Sequence, residues 1–592
     1  MNHLVFEKLS RLINENTEFH FFESGKNTSS SSTYLFSNPI KKIICVSEDE
    51  IEKCILEIEK ESKNYFVAGW ISYEVGKKFL NKLKSNQGNK ILLSFNVYTE
   101  VEEFSNTKER IPSSLNFQIE DIHSSISFEE YEKNVKSIIE NIKSGNYYQI
   151  NYTFPLEFKL IGDLLSFYME LSKNQTTEYS AFIRTNELSI LSLSPELFFK
   201  MENGKMLMKP MKGTSNLGKE SELEAEKNLA ENFMIVDLIR NDLGKISKLG
   251  SVQVLNPASK DSFETLTQMT TNVESNLKDS LTLFEILEGI FPSGSVTGAP
   301  KLASMKAIES SLEKKDRGVY TGAIGFFSPN KSIFSVAIRS LEIKNEKAKI
   351  GIGSGIVFDS VPSLEWEECF LKAKFLFKSI PMQIFTSLVW KRNTFYFLDY
   401  HLMRLKKSAE FFGFGFSENE IKNRLNQLDL DFNKVYKLKI TIERESHIKI
   451  ETTELNSKQK KGKFSFAKEF SLETRSNSIF LYYKTSKREI YRKGFEIASN
   501  HQLMDLIFEN EKAEITEGSI YNIFCKIDGI FYTPFLNAGV LDGIYRRKLL
   551  NRFPSYFKEK ILYKKDILNS EEVFFCNSVR GILRGVYEKR KG

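Results

Sequence analysis

The 592-residue chain holds only five cysteines, Cys45, Cys54, Cys369, Cys525 and Cys576. None stand at the close spacing of a zinc site or in the dense framework of a small secreted domain, so reduced thiols in a cytosol are expected. No run of 18 apolar residues occurs, which argues against a spanning helix. The opening stretch MNHLVFEKLSRLINENTEF lacks the continuous apolar core of a secretion signal, so a cytoplasmic location is expected. No internal repeat is present, and the one low-complexity tract, Ser29–Ser32, reads as a surface loop. Nor is one sign of charge in excess: 83 basic against 77 acidic residues leave a surplus of six, spread along the chain. That gives no case for nucleic acid and allows mild attraction for anionic metabolites at most.

What is present is an ordinary globular composition, 41% hydrophobic and 27% charged, on a length beyond which a single core usually stops growing. At least two domains are expected. Short apolar runs such as Phe66–Ser72, broken by polar loops at Asn27–Thr33 and Asn81–Lys90, indicate mixed strands and helices. A polar stretch from Glu102 to Ser127 precedes a helical pattern at Phe128–Lys143 and a strand-like one at Tyr147–Phe158. The helical pattern Leu364–Ser379 stops at Pro381, and Ile384–Trp390 opens a fresh strand with almost no linker. Three segments follow: an N-terminal layer over 1–120, a catalytic body over 121–380 and a further domain over 383–592.

Lys212, in Lys209-Pro210-Met211-Lys212-Gly213-Thr214, lies between an apolar segment and a Gly-Thr turn, placed to act as an amine nucleophile. Such an amine must be neutral, which requires surroundings that depress its pKa. Glu196 follows Pro195 and precedes Leu197-Phe198-Phe199; partial desolvation there would keep it protonated as an acid, unless it merely caps a strand end. Glu231 lies on a helical stretch, Ala230–Asp242, whose next turns are apolar, and Glu365, Glu368 and Lys372 share one helix face. Carboxylates from two helices could hold a magnesium ion; on spacing alone a solvated acidic face with an intrahelical ion pair is the commoner arrangement. A second lysine, Lys484, suggests a second covalent chemistry.

These residues fall in segments that resemble the chorismate-utilising enzymes, specifically the synthase component that forms aminodeoxychorismate. The segments are Gly145–Asn151, Ser194–Glu196, Lys209–Thr214, Glu231–Asp242, Phe291–Lys301, Gly318–Gly325, Ala337–Arg339, Gly351–Val357 and Glu365–Lys372. The resemblance implies an α+β fold of large antiparallel sheets with outer helices. It also implies that Lys212 attacks ring carbon 2 of chorismate, that Glu196 protonates the departing 4-hydroxyl, and that ammonia enters at carbon 4 and expels the lysine. Glu231 and Glu368 would hold Mg2+ with Glu365 nearby, while Tyr320, Arg339, Lys372, Thr297, Gly298 and the backbone at Gly353 and Gly355 would receive the substrate. Relatives that hydroxylate the ring have a lysine where this chain has Gln149. Those that make anthranilate have a small residue at Lys212 and a histidine, which protonates the departing pyruvate, at Gln268. Two departures from the pattern are Asn228, where relatives often carry an acid, and Ser354 inside the usual glycine triplet.

From Gln383 onward the chain resembles the class IV pyridoxal-phosphate enzymes, among them aminodeoxychorismate lyase, through Leu398–Ala409, Tyr483–Arg488, Ile515–Phe524, Ala538–Arg546 and Glu572–Gly581. The resemblance implies a two-subdomain α/β unit, dimeric in the family. Lys484 would bond pyridoxal 5'-phosphate, Glu517 would face its ring nitrogen, and Arg404, Ser578 and the backbone at Gly543 and Ile544 would take the phosphate. His401 reads as a structural histidine. Elimination of pyruvate in this half would yield 4-aminobenzoate for folate. No nucleophilic cysteine in a glycine-flanked elbow is present, so a separate glutamine amidotransferase subunit is expected to supply ammonia. Three other readings remain: a first half of anthranilate-synthase type, a C-terminal amino acid aminotransferase, and a non-catalytic C-terminal module that docks the amidotransferase.

Overall fold

The computed structural model describes residues 3–24, 32–80, 90–105, 116–216, 223–262, 266–455 and 461–589. The serine tract and the loops expected at Asn27–Thr33 and Asn81–Lys90 fall almost wholly outside them. The chain divides into two units, one of Met1–Glu120 with Ser125–Ser379, the other of Asp121–Ser124 with Ile380–Gly592.

In the first unit, strands with alternating apolar residues build two ten-stranded antiparallel sheets. Strand Gln149–Gly162 buries Ile150, Tyr152, Phe154, Leu156, Phe158 and Leu160, every second residue. It pairs along its length with Lys347–Ile356 and at its start with Gly298–Ala299. The second sheet runs from Met211–Asn216 through Leu266–Asn276, Lys205–Lys209, Leu197–Glu202, Lys331–Val336 and Ala323–Phe327. The stretch to residue 120, expected as a layer of its own, adds Phe19–Glu23, Ser32–Ser37 and Glu102–Ser105 to the first sheet and Lys41–Cys45, Phe66–Ile71 and Leu93–Tyr98 to the second.

The sheets face each other through Phe22, Phe36, Trp70, Ile183, Ile190 and Phe326. On the far side of the second sheet lie helices Ile51–Ser62, Glu226–Ile246 and Leu283–Ile290, whose Ile55, Ile235, Ile239, Leu243 and Ile286 meet Val67, Phe95, Phe199 and Phe334. On the far side of the first lie Phe128–Lys143 and Pro362–Lys372, with Trp366 stacked on Phe154 at 5.0 Å and Tyr131 on Tyr152 at 5.3 Å between ring centres. Helix Phe128–Lys143 covers the residues its periodicity marks because Ser127 accepts a hydrogen bond from the amide of Glu130. The helical pattern at Leu364–Ser379 is two helices, Pro362–Lys372 and Lys374–Lys378.

The second unit has a four-stranded sheet built on Ile384–Lys391 and Val435–Ile442, beside helix Leu398–Phe412. An eight-stranded mixed sheet accompanies it, in which Lys461–Phe466 runs parallel to both Asp505–Glu509 and Gly581–Tyr587. Both expected fold classes hold, α+β in the first unit and α/β with two sheets in the second.

One buried ion pair secures the turn that enters the first site. Lys301 donates to Asp242 of helix Glu226–Ile246 at 2.6 Å and to the carbonyl of Ile290 at 3.1 Å, so it bridges the helix and the two ends of segment 290–301. Asp242→Ala strands the ammonium and should cost about 3–5 kcal/mol in denaturant unfolding of the first unit. The double change Asp242→Leu with Lys301→Met should recover much of that loss.

Candidate active sites

Lys212 sits where the pairing of Met211–Asn216 with Leu266–Asn276 slips between Met211 and Thr214. The slip requires glycine next to it: Gly213 has φ +79°, and a Cβ there would lie 3.1 Å from Leu223. Burial holds the Lys212 amine below the usual lysine range; Glu231 opposes this, Lys372 adds to it, and Glu196 and Glu368 oppose it. Helices Glu226–Ile246 and Pro362–Lys372 and the turn at Glu196 thus converge on one nitrogen.

Glu196 is buried between strands Ser189–Ser194 and Leu197–Glu202. Burial raises its carboxyl to about 7, against a hydrogen bond from Ser295 and the charge of Lys212. The Ser295 hydroxyl donates to Oε1 at 2.6 Å. An acid half protonated near neutrality therefore acts on an amine whose charge is suppressed.

Arg339 has φ +54°, and burial lowers its guanidinium to about 10. Its Nη1 is buried without a hydrogen-bond partner among the described residues, a costly state that a bound carboxylate would relieve. Tyr320 lies flat against Gly351, where a Cβ would come 2.1 Å from its ring. Gly353 and Gly355 lie on the strand Lys347–Ile356, and a Cβ at Gly355 would reach 2.4 Å from the Gln149 amide nitrogen. Lys372 is already engaged, donating to the Gly353 carbonyl at 2.8 Å and pairing with Glu368 at 2.8 Å. Thr297 is buried with its hydroxyl on the Ser293 carbonyl at 2.9 Å, and Gly298, at φ +137°, passes so close to Gln149 that a Cβ would lie 2.3 Å from its carbonyl oxygen.

Of the three acids expected at a metal, Glu231 and Glu368 both act on Lys212, whereas Glu365 accepts from Ser360 at 2.8 Å. Among the described residues no three His, Cys, Asp or Glu side chains gather closely enough to hold a metal. Two carboxylates suit magnesium, which takes one or two from protein and completes its shell with water and an anionic substrate.

The sequence reading missed the frame behind these groups. Arg317 is buried over the Tyr73 ring, pairs with Glu313 at 2.7 Å, and donates to the carbonyls of Val296 at 2.9 Å and Asn151 at 2.7 Å. Its carbonyl partners are 21 and 166 positions away, and no spacing rule reaches that far.

In the second unit Lys484 lies in the loop before helix Glu489–Asn500, its amine 5.2 Å from the centre of the Phe385 ring. Burial, then Arg404 and Arg488, lower it to about 7. Glu517 is buried, with Oε1 accepting from Arg488 at 2.5 Å and Oε2 from Asn522 at 3.0 Å. Arg404 donates to Thr386 at 2.9 Å, the Thr386 hydroxyl meets Nδ1 of the buried His401 at 2.7 Å, and the Arg404 Nε is buried without a partner among the described residues. Ser578 donates to the Ser387 carbonyl at 3.2 Å on the same strand. Gly543 passes so close to Asn522 that a Cβ would lie 1.8 Å from its Oδ1, and buried Ile544 opens helix Ile544–Arg552. An amine about half neutral at pH 7, a buried carboxylate and a guanidinium with an N–H uncommitted among the described residues suit an aldehyde-bearing pyridine phosphate. Arg488 and Asn522 lie inside Tyr483–Arg488 and Ile515–Phe524, yet nothing in those segments shows that they meet Glu517.

The raised acid carries a stability cost with a definite sign. Glu196 binds its proton more tightly folded than unfolded, so stability is lost as pH rises from the ordinary glutamate range through about 7. Glu196→Gln should therefore be more stable than the parent at pH 8, by about 3 kcal/mol, with the gap in melting temperature shrinking towards pH 5.

Residues 17–378 match the family model of chorismate binding enzymes, and residues 383–586 match that of class IV amino-transferases. Over 361 residues the chain is 30% identical to anthranilate synthase component 1 of Methanothermobacter marburgensis, covering 55% of this chain and 77% of that protein. Over 253 residues it is 34% identical to aminodeoxychorismate synthase component 1 of Bacillus subtilis, covering 41% of this chain and 54% of that one. A solved anthranilate synthase component I from Streptococcus pneumoniae shares the fold, with a TM-score of 0.52, 24% identity, and coverage of 59% of this chain and 92% of that one. The chain spans about half the length of the Bacillus protein and 28% of the chloroplastic aminodeoxychorismate synthase of Arabidopsis thaliana, to which it is 38% identical. The chain belongs to the chorismate binding enzymes and carries a class IV amino-transferase domain behind that one.

Proposed function

We propose that the chain makes 4-aminobenzoate from chorismate and ammonia in two steps, amination in the first unit and release of pyruvate in the second. The observation that carries this reading is the pairing of Lys212 with Glu196, an amine and an acid both held towards their uncharged forms by burial. Lys212 adds to ring carbon 2 while Glu196 gives its proton to the departing 4-hydroxyl; ammonia then enters at carbon 4 and the lysine leaves. Arg339 takes a substrate carboxylate on its unpartnered Nη1, Tyr320 lines the pocket, and Glu231 and Glu368 hold Mg2+, which would neutralise the ring carboxylate. Gln268, buried opposite Thr214, offers an amide and no acid, so the pyruvyl ether survives this site. An anthranilate product would overturn that assignment.

In the second unit, pyridoxal 5'-phosphate supplies an electron sink for the amine at carbon 4. Glu517 would face its ring nitrogen, and Arg488, paired with that carboxylate, favours its ionised form against burial. Arg404, Ser578 and the backbone at Gly543 and Ile544 would take its phosphate. Lys484, its pKa lowered to about 7, takes the proton from carbon 4 as pyruvate departs. Ammonia comes from a separate glutamine amidotransferase subunit.

Purified chain given chorismate, ammonium and pyridoxal 5'-phosphate should form 4-aminobenzoate, and without the cofactor should accumulate aminodeoxychorismate; transfer of the amino group to 2-oxoglutarate outpacing pyruvate release would sink the lyase assignment. Lys212→Ala should lower amination by about a thousandfold or more yet leave pyruvate release from supplied aminodeoxychorismate intact. Lys484→Ala should give colourless protein, insensitive to borohydride, that stops at the aminated intermediate. Glutamine should support turnover only when an amidotransferase is added, whereas ammonium should suffice alone.

A further inference from the structure

Glu196 is not held by the strand ends alone. The Ser295 hydroxyl lies 2.6 Å from its Oε1, and the Ser293 hydroxyl lies 2.9 Å from that of Ser295. All three residues are buried. Ser295 is fixed from both sides: Asn151 donates to its carbonyl at 3.1 Å, and Arg317 donates to the next carbonyl, that of Val296, at 2.9 Å. Each hydroxyl has one proton, which settles the direction. With Ser293 donating to Ser295 and Ser295 donating to Oε1, every proton in the chain has an acceptor. In the reverse direction the Ser293 proton has none among the described residues, and a buried donor without an acceptor is costly.

We propose that Ser295 is a positioning residue for the acid: its hydroxyl, fed by Ser293, keeps Oε1 of Glu196 as an acceptor and so confines the transferable proton to Oε2. The assignment rests on the reading of Glu196 as the proton donor to the leaving hydroxyl. Among the described residues Lys212 is the one charged side chain that acts on Glu196, and Lys212 is itself faced by Glu231, Lys372 and Glu368. A hydroxyl donating to the carboxylate stabilises its ionised form. Removing it makes Glu196 a weaker acid with an unfixed proton.

The test is the pH profile of amination by the full chain, with chorismate, ammonium and Mg2+. The limb that belongs to Glu196 is identified as the one displaced by Glu196→Asp. In Ser295→Ala that limb should move up by about one pH unit, the size of a hydrogen bond to a charged group, with amination slowed about tenfold or more. Ser295→Thr, which keeps the hydroxyl, should restore both. Where Ser295→Ala does not yield folded protein, Ser293→Ala carries the test, with a smaller shift in the same direction. An unmoved limb, whatever the rate, or wild-type behaviour in Ser295→Ala overturns the proposal. Amination surviving in Glu196→Gln would instead sink the underlying reading of Glu196, so the two failures are distinct.

Discussion

Desolvation is the constraint on which the first unit turns. Lys212 and Glu196 are groups that water would charge, and burial pushes both towards neutrality, the amine downward and the acid up to about 7. In water the pair would rest as an ammonium beside a carboxylate, useless for attack and proton donation alike. The two sheets and the outer helices exclude enough solvent to weaken that preference. Glu231 and Glu368 oppose the effect by drawing the amine back towards its charged form, and the substrate's own charges and a cation would shift that balance on binding.

The same physics recurs in the second unit with different parts. Lys484 is lowered to about 7 by burial and by two guanidiniums, Arg404 and Arg488. Arg488 also pairs with Glu517, whose carboxyl burial raises on balance while Arg488 draws it back down. One arginine thus serves opposite ends of the site, suppressing the charge of an amine and sustaining that of an acid. The unpartnered N–H groups of Arg339 and Arg404 are the counterpart in each unit: buried donors that native structures rarely leave unmatched, and that an anionic ligand would satisfy.

Much of this was legible in the chain because its signals are local. The strand-like pattern at Tyr147–Phe158, the helical pattern at Phe128–Lys143 and the Lys-Gly-Thr turn around Lys212 each depend on residues a few positions apart. Other elements broke the local rules. The polar stretch from Glu102 to Ser127 contains strands Glu102–Ser105 and Phe117–Ser124, and Asp121, at φ +51°, interrupts the alternation of Phe117, Ile119 and Ile122 that would have revealed the second. Nor does local spacing show that the ammonium of Lys372 meets a carbonyl on the adjoining strand as well as its carboxylate neighbour one turn away.

By itself the sequence determined which side chains carry chemistry, two lysines, their acids and the arginines, because residue type and short-range motif set what a group can do. The tertiary structure decided what those groups are: which carboxylate is desolvated, which guanidinium lacks a partner, and that Ser293, Ser295, Asn151 and Arg317 form the frame behind Glu196. Charge state and proton direction depend on burial and on contacts between residues far apart in the chain, and those exist only once the sheets have closed over them.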